Sequence, residues 1–371
     1  MARLTFPRVI IALTAVLLLT YAFAITPWTA SMRRGDVSNA QPKASPSAPE
    51  LFPPDGKMFI GVTTNEGAYD FTAVDEFAKA AKKQPQVMLF NAGWASATFD
   101  RTLFDRIADR GMLPMLAWEP WDYRLDETAR KQGLDQTQID KIRSNQPDYR
   151  LSRIAQGDFD SYLLSWAAGI KSLGYPVAIR FAHEMNGDWY PWCEGVNGNQ
   201  PGDYVAAWRH LHDVFRTAGA TNVTWVWSPN VLWNDSSSKL SSLYPGDDYV
   251  DWLGLSGYYG TGYFSGYKSF DEIFNSTIEK LRTFSKRPLV ITETGASDAK
   301  GRKAEWIKET FKLLPSHKDI IGLIWFEVDK EMDWRVVSST AVAAAFAEAV
   351  AADRYDLSWS PRMVPRTRVE S

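Results

Sequence analysis

The sequence predicts an α/β fold, a (β/α)8 TIM barrel that forms a single domain after an N-terminal export segment. Two observations lead to this prediction. Eight short apolar runs recur along the chain, and amphipathic stretches of helical periodicity separate them. The chain has 371 residues, 45% of them hydrophobic. A barrel typically needs about 250 residues, so the length leaves room for further segments.

The eight apolar runs are each four to six residues long and contain few polar positions. Such runs are typical of parallel strands that are buried on both faces. In chain order, the predicted strands are Phe59–Thr63, Val87–Phe90, Leu113–Trp118, Val177–Phe181, Val223–Trp227, Trp252–Ser256, Leu289–Thr292 and Ile321–Phe326.

Seven stretches between these runs are predicted as helices. They are Val74–Lys82, Thr102–Arg110, Phe159–Leu173, Tyr204–Ala218, Asp271–Phe284, Lys303–Leu313 and Ala341–Ala351. Gly111, Gly174 and Gly219 stand where three of these helices should end. The Ser- and Asp-rich stretch after Trp227 predicts a short or irregular outer helix. A doubly wound open sheet is the alternative arrangement, but no Gly-rich phosphate loop follows any predicted strand.

The N-terminus has the composition of an export signal. Arg3 and Arg8 precede an apolar run from Val9 to about Ile25, which is typical of a signal peptide or a membrane anchor. Both interpretations place the rest of the chain outside the cytoplasm: secreted, periplasmic or anchored to the outer face of the cytoplasmic membrane. The predicted divisions are an export segment at 1–28, a Pro/Ser/Ala-rich linker at 29–54, the barrel at 55–352 and a flexible tail at 353–371.

Charge and composition exclude several classes of partner. The formal net charge of −3 gives no reason to expect nucleic acid. Cys193 is the one cysteine of the chain, so an intrachain disulfide cannot form. The four histidines are scattered, and the His183-Glu184 pair lacks a second histidine at helical spacing. No metal site and no cofactor are therefore predicted, and a monomer is expected.

Polar and aromatic residues follow almost every predicted strand, at the end where barrels of this kind carry their sites. Two carboxylates stand out, because Glu184 ends the fourth strand and Glu293 ends the seventh. In a closed barrel, these two strand ends can face each other across one mouth. Paired carboxylates are what glycoside cleavage requires, because one protonates the leaving oxygen while the other attacks the anomeric carbon or activates water.

The surroundings of both carboxylates resemble one known family. The segment Ile179-Arg180-Phe181-Ala182-His183-Glu184-Met185-Asn186-Gly187, with the Trp- and Tyr-rich loop after it, resembles the acid/base segment of glycoside hydrolase family 26. Ile291-Thr292-Glu293-Thr294-Gly295 is similar to the nucleophile strand of that family. The resemblance implies a retaining enzyme that cleaves internal bonds of a β-linked polysaccharide, foremost an endo-β-1,4-mannanase. Glu184 would be the acid/base and Glu293 the nucleophile.

The resemblance also implies roles for residues around the pair. His183 matches the family's histidine beside the acid, and Tyr258 matches a tyrosine that hydrogen-bonds the nucleophile, with Tyr259 as its competitor. Trp325 resembles the aromatic platform under the sugar that is cleaved. Arg180 is predicted to be a buried ion-pair partner. Further substrate contacts are predicted for Trp189, Trp192, Asn91, Trp94, Glu119 and Trp121.

Two alternatives stay open. An enzyme with the same mechanism could cleave β-1,3-1,4-glucan, or the producer's own exopolysaccharide, instead of mannan. Phe181-Ala182 and Cys193 depart from the pattern of the mannanases and leave the substrate open. We expect Cys193 to be a packing residue rather than a nucleophile. The barrel could instead bind carbohydrate without activity, although the presence of both Glu184 and Glu293 speaks against that.

Overall fold

The computed structural model describes residues 49–232, 240–261, 266–298 and 301–368. Its strands are β1 (Leu51–Phe52), β2 (Phe59–Thr63), β3 (Val87–Gly93), β4 (Leu113–Glu119), β5 (Val177–Phe181), β6 (Val223–Trp227), β7 (Trp252–Tyr259), β8 (Leu289–Ala296), β9 (Ile320–Phe326) and β10 (Val364–Pro365). Strands β2 to β9 are parallel and close into a barrel in chain order, with β9 hydrogen-bonded to β2. The predicted (β/α)8 barrel is confirmed.

All eight predicted barrel strands are present, and four of them continue beyond their predicted carboxyl ends, β4 by one residue. Strands β3, β7 and β8 run three or four residues further, because their polar carboxyl ends stay within the ladder. Tyr259 of β7, for example, pairs with Ala296 of β8. Glu293 consequently lies inside β8 and not after it, and its backbone pairs with Ser256 of β7.

The described residues also form α1 (Thr72–Ala81), α2 (Arg101–Ala108), α3 (Arg124–Lys131), α4 (Gln136–Arg143), α5 (Leu151–Ala155), α6 (Asp160–Leu173), α7 (Asp203–Ala218), α8 (Leu240–Leu243), α9 (Phe270–Arg282), α10 (Lys303–Leu313) and α11 (Thr340–Ala349). The seven predicted helices are present with ends within two residues. Helix α8 has four residues, in agreement with the short outer helix predicted after Trp227.

Helices α3 to α5 were not predicted, because the segment between β4 and β5 is too polar for a strong apolar period. Local capping specifies α4 instead. The Asp135 carboxylate accepts a hydrogen bond from the Gln138 backbone N–H at 2.9 Å, and the Gln138 side chain accepts one from the Asp135 N–H at 3.0 Å. These two reciprocal hydrogen bonds satisfy two backbone N–H groups that have no partner within the first turn of the helix.

The ends of the described chain are held together at the base of the barrel, the end from which the strands start. Strand β1 pairs in parallel with β10, Leu51 with Val364 and Phe52 with Pro365. Phe52 is fully buried and stacks on Phe59 with ring centroids 5.4 Å apart. The barrel domain thus begins before the predicted boundary at residue 55.

The predicted flexible tail is wrong for residues 353–368. Tyr355, Trp359 and Met363 are buried, and the pairing of β10 completes the base. The proline and arginine content suggested disorder, but the apolar area of three large side chains outweighs it.

The predicted export segment at 1–28 and most of the predicted linker lie outside the described residues. Within the described ranges, no helix is both long enough and apolar enough to cross a bilayer. Export of the chain stays a prediction.

Candidate active site

An open cleft lies at the carboxyl ends of the strands. It begins at Glu293 and His183 and continues over the ends of β2, β3 and β4 towards Glu119. Its outer part has a volume of about 640 Å³, and the Tyr69 ring on its rim is 70% exposed. The cleft is elongated and polar, a shape that suits a polymer better than a compact ligand.

Glu293 is held by a cation and a phenol. The Arg180 guanidinium donates from Nη1 to Glu293 Oε2 at 2.8 Å, and the Tyr258 hydroxyl donates to Oε1. Arg180 is fully buried and is itself fixed by Ser228 Oγ at 3.0 Å and Ser256 Oγ at 2.6 Å. These bonds confirm the expected ion pair of Arg180 and identify Tyr258, not Tyr259, as the contact of Glu293.

Glu184 receives two neutral donors. Trp189 Nε1 donates to Oε2 and Asn230 Nδ2 donates to Oε1, both at 2.9 Å. Burial, followed by the negative charge of Glu293, raises the pKa of Glu184 above its usual value, and Arg180 together with the two hydrogen bonds opposes the rise. Glu184 therefore keeps its proton to a higher pH than an exposed glutamate does.

The backbone around Glu184 adopts an uncommon conformation. Ala182 has φ of 43° and Glu184 has φ of 55°, the left-handed region that non-glycine residues seldom occupy. The surroundings enforce it, because the Glu184 N–H bonds Ser228 O at 2.7 Å and the Ala182 N–H bonds Trp118 O at 3.0 Å. Residues held in this way cluster at functional sites, where the surrounding structure compensates for the strain.

His183 is buried between the strand and the cleft. Burial lowers the pKa of His183 well below its usual value, and the positive charge of Arg180 adds to the effect, so the ring is neutral near pH 7. Within the described residues, Nδ1 has no hydrogen-bond partner. His183 lines the cleft beside Glu293, but Nδ1 itself has almost no exposed surface.

A third carboxyl group stands further along the cleft. Asn91 Nδ2 donates to Glu119 Oε1 at 2.7 Å, and Trp121 Nε1 donates to Oε2 at 3.0 Å. Burial raises the pKa of Glu119. Asn91 and Glu119 both line the cleft. Trp121 is buried, and its hydrogen bond orients the Glu119 carboxyl group.

Comparison with known proteins agrees with this geometry. The family description "Glycosyl hydrolase family 26" matches residues 128–323, more than half of the chain. The chain belongs to glycosyl hydrolase family 26. Endoglucanase H of Acetivibrio thermocellus is 32% identical over 290 residues, which cover 76% of this chain and 29% of that protein.

Two further proteins of known name are similar to this chain, one in sequence and one in structure. A mannan endo-1,4-β-mannosidase of Bacillus subtilis is 27% identical over 176 residues, 46% of this chain and 41% of that protein. A family 26 β-mannanase structure from Bacteroides ovatus superposes with a TM-score of 0.54 at 19% identity, covering 81% of this chain and 90% of that chain. The chain thus spans less than half the length of both curated relatives, and the structural likeness concerns the barrel fold.

In this family 26 barrel, three of the predicted aromatic contacts lie in the packing and not in the cleft. Trp325 is fully buried against Trp306 and Phe346, and its Nε1 donates to a backbone carbonyl. Trp192 is fully buried and donates to His183 O at 2.7 Å, while Trp94 is 6% exposed among other rings. The predicted role as sugar contacts is wrong for Trp325 and Trp192, because neither ring has exposed surface, and Trp94 does not line the cleft.

The strand register explains the error at Trp325. Side chains of a strand alternate between the two faces, so Phe326, the next residue, lines the cleft instead. Phe326 and Trp334 both contact the Tyr258 ring, with centroid separations of 5.7 Å and 4.9 Å. These residues were missed, although Phe326 was visible as the last residue of the predicted eighth strand.

Asn230 is the other site residue that was not singled out. It follows β6 in the polar sequence Trp227-Ser228-Pro229-Asn230. Its backbone N–H donates to Asn186 Oδ1 at 2.8 Å, and its carbonyl oxygen accepts a hydrogen bond from Asn186 Nδ2 at 2.9 Å. These two hydrogen bonds to Asn186 hold the Asn230 side-chain amide against the carboxyl group of Glu184. The only signal in the sequence was the polar strand end.

Cys193 and the charged residues after β9 serve packing and structure. Burial raises the pKa of the Cys193 thiol to about 12, and its Sγ lies 3.5 Å from the Glu184 carbonyl oxygen. Arg335 bridges Asp333 at 2.8 Å and Asp329 at 3.0 Å and so closes the loop after β9.

Proposed function

We propose that this chain is a retaining glycoside hydrolase that cleaves internal β-glycosidic bonds of a polysaccharide by double displacement. Glu293 is the nucleophile and Glu184 the acid/base. One observation carries the proposal: two glutamates at one barrel mouth have opposite surroundings, a guanidinium for Glu293 and neutral donors with a raised pKa for Glu184.

In the first step, a carboxylate oxygen of Glu293 attacks the anomeric carbon, and the glycosidic C–O bond breaks. Protonated Glu184 donates its proton to the leaving oxygen, so the departing sugar leaves as an alcohol. Arg180 and Tyr258 hold the attacking carboxylate in one orientation, which lowers the entropy cost of the attack.

In the second step, water replaces the glutamate ester. Esterification removes the negative charge of Glu293, and that charge raises the pKa of Glu184 in the free enzyme. The pKa of Glu184 consequently falls in the intermediate, and its carboxylate takes a proton from the attacking water. The C–O bond to Glu293 breaks, which returns both residues to their starting states with retained anomeric configuration.

The polymer is the second part of the proposal. Mannan is the substrate that the sequence resemblance predicts, and the name of the Bacillus subtilis relative supports it. β-Glucan is the second candidate, because the similarity to endoglucanase H extends over 76% of this chain. Both polymers consist of β-linked hexoses that fit an open, elongated cleft.

The test is reducing-sugar release by the full chain from glucomannan, galactomannan, mixed-linkage β-glucan, β-1,3-xylan and cellulose. Glu293→Ala is expected to lower activity roughly 10⁴-fold or more, because no other group can form the intermediate. Proton NMR of the first product should show the β anomer.

Glu327→Gln is the matched control, because Glu327 also follows a barrel strand and is buried, but it accepts from the backbone N–H groups of Val336 and Val337. Its activity should equal that of the wild type. Activity that survives in Glu293→Ala would refute the nucleophile, and binding without release from any polymer would support a carbohydrate-binding barrel instead. The α anomer as first product would refute retention.

A further inference from the structure

A second cavity lies at the base of the barrel, at the opposite end from the cleft. It has a volume of about 250 Å³, and its walls come from the segments that precede β2 and β9 and from the C-terminal segment. Four of its seven lining residues are cationic, and none is acidic. The lining residues are Gly56, Lys57, Pro315, Lys318, Ile321, Arg354 and Arg366.

These cations have few internal counter-charges. Arg366 is paired with Asp55, whose side chain is largely exposed. Lys57 donates to the backbone carbonyl of Asp353 at 2.6 Å, which leaves its charge uncompensated. Lys318 is exposed and makes no ion pair with any residue in the part of the chain that the structure describes. Like charges gathered in one cavity repel one another, so the arrangement favours an anion between them.

Arg354 adds an observation independent of net charge. Its Nη1 and Nη2 reach the carbonyl oxygens of Pro315 and Ile320 only at 3.4 Å. Its Nε is buried and has no acceptor among the described residues. The guanidinium thus has no short hydrogen bond among the described residues, and an anionic oxygen in the cavity would give Nη1 or Nη2 a stronger acceptor than the two carbonyls.

The neighbouring carboxylates are engaged elsewhere. Asp319, adjacent to Lys318 in sequence, pairs with Arg282, and Asp356 lies 3.8 Å from Lys83. Neither lines the cavity. The lining of the cavity therefore supplies cationic donors and no carboxylate, while Asp55 compensates the charge of Arg366.

We propose that this cavity binds a phosphate group. A tetrahedral phosphate offers several charged oxygens to donors that converge from different segments, whereas a carboxylate offers two. The group has two possible sources, free inorganic phosphate and the headgroup of an anionic phospholipid. The cavity faces away from Glu184 and Glu293, so its ligand is not the polymer that the cleft holds, and the proposal is independent of the glycosidase activity.

The first experiment titrates inorganic phosphate into the full chain in mild detergent by calorimetry, with chloride at equal ionic strength as the reference. Lys318→Ala and Arg354→Gln should each weaken phosphate binding roughly tenfold, the loss typical of one charged hydrogen bond. Lys286→Ala is the matched control, because Lys286 is exposed near the start of β8 at the same base but does not line the cavity. Thermal melts verify that each variant is folded.

The second experiment distinguishes the source. Partition of the full chain onto phosphatidylcholine vesicles with and without phosphatidylglycerol is compared between wild type and Lys318→Ala, so that any contribution of residues 1–48 is the same in both. A phosphatidylglycerol-dependent loss in Lys318→Ala, absent in Lys286→Ala, assigns the headgroup. Phosphate binding without a vesicle effect assigns the free ion. The proposal fails if the wild type shows neither, or if Lys286→Ala loses as much as Lys318→Ala.

Discussion

Glu184 and Glu293 face one mouth, but their surroundings differ in charge. Glu293 is bound by a buried guanidinium that two serine hydroxyls hold in place, and by the hydroxyl of Tyr258. Glu184 is bound by the indole of Trp189 and the amide of Asn230, and none of the cations in the described ranges forms an ion pair with it. The difference teaches that two identical side chains acquire distinct chemistry from their neighbours, and the following substitutions exchange or remove those neighbours.

Among substitutions of these neighbours, the largest effect on the rate is expected when the cation is removed. Arg180→Met keeps an unbranched apolar stem but leaves the Glu293 carboxylate without its ion pair and without one of its two fixed hydrogen bonds. We expect kcat to fall roughly 10²- to 10³-fold, with little change in KM, because the group acts on the reacting carboxylate. Steady-state kinetics on the preferred polymer measure both constants.

Arg282→Met provides the control for this substitution. Arg282 is also partly buried and ion-paired, with Asp319, but lies far from the mouth at the end of α9. Both variants should lose thermal stability, whereas only Arg180→Met should lose kcat. An unchanged kcat in Arg180→Met would mean that the guanidinium serves folding alone.

Neutralising the nucleophile is expected to change the pKa of Glu184, a quantity measured apart from the rate. Glu293→Gln removes the negative charge that contributes to the raised pKa of Glu184, so the pKa of Glu184 should fall. Titration of ¹³C-labelled glutamate carboxyl groups by NMR measures the value in both proteins. A pKa that stays constant or rises would contradict the proton transfer proposed for the second step.

The smallest effect is expected on the other side of the mouth. Trp189→Phe removes the indole N–H from Glu184 Oε2 but keeps an aromatic ring. Because that hydrogen bond lowers the pKa of Glu184, its loss should raise the pKa. The acid form starts the reaction, so the alkaline limb of kcat/KM should move to higher pH, while the maximal rate falls roughly tenfold or less. A limb that moves to lower pH would refute the assignment of Glu184.

The fold was largely predictable, because barrel strands buried on both faces appear as continuous apolar runs and their helices carry an amphipathic period. The misjudged segments lack these signals. Polar helices such as α4 depend on the Asp135 capping box, and β10 has two residues whose pairing partner lies more than 300 positions away. Contacts at that separation cannot be read from a local pattern.

The site was predictable at the level of its carboxylates but less so for its aromatic residues. Glu184 and Glu293 stand out because a charged residue interrupts an apolar strand end. The family resemblance indicates Trp325, but Phe326 lines the cleft, and a strand without polar alternation gives no indication of which of the two residues faces it. The contact of Asn230 with Glu184 could not be predicted either, because the position of Asn230 depends on a hydrogen bond to Asn186 in another loop.

The pairing of β1 with β10 also determines how the protein can be rearranged. The described chain enters and leaves the barrel side by side at the base, where Trp252 Nε1 also bonds the carbonyl of Arg366. A short linker between residues 368 and 49 would permit circular permutation, with new termini opened in an outer loop away from the cleft. Attachment to a solid support through either end would likewise leave the cleft directed towards the solution.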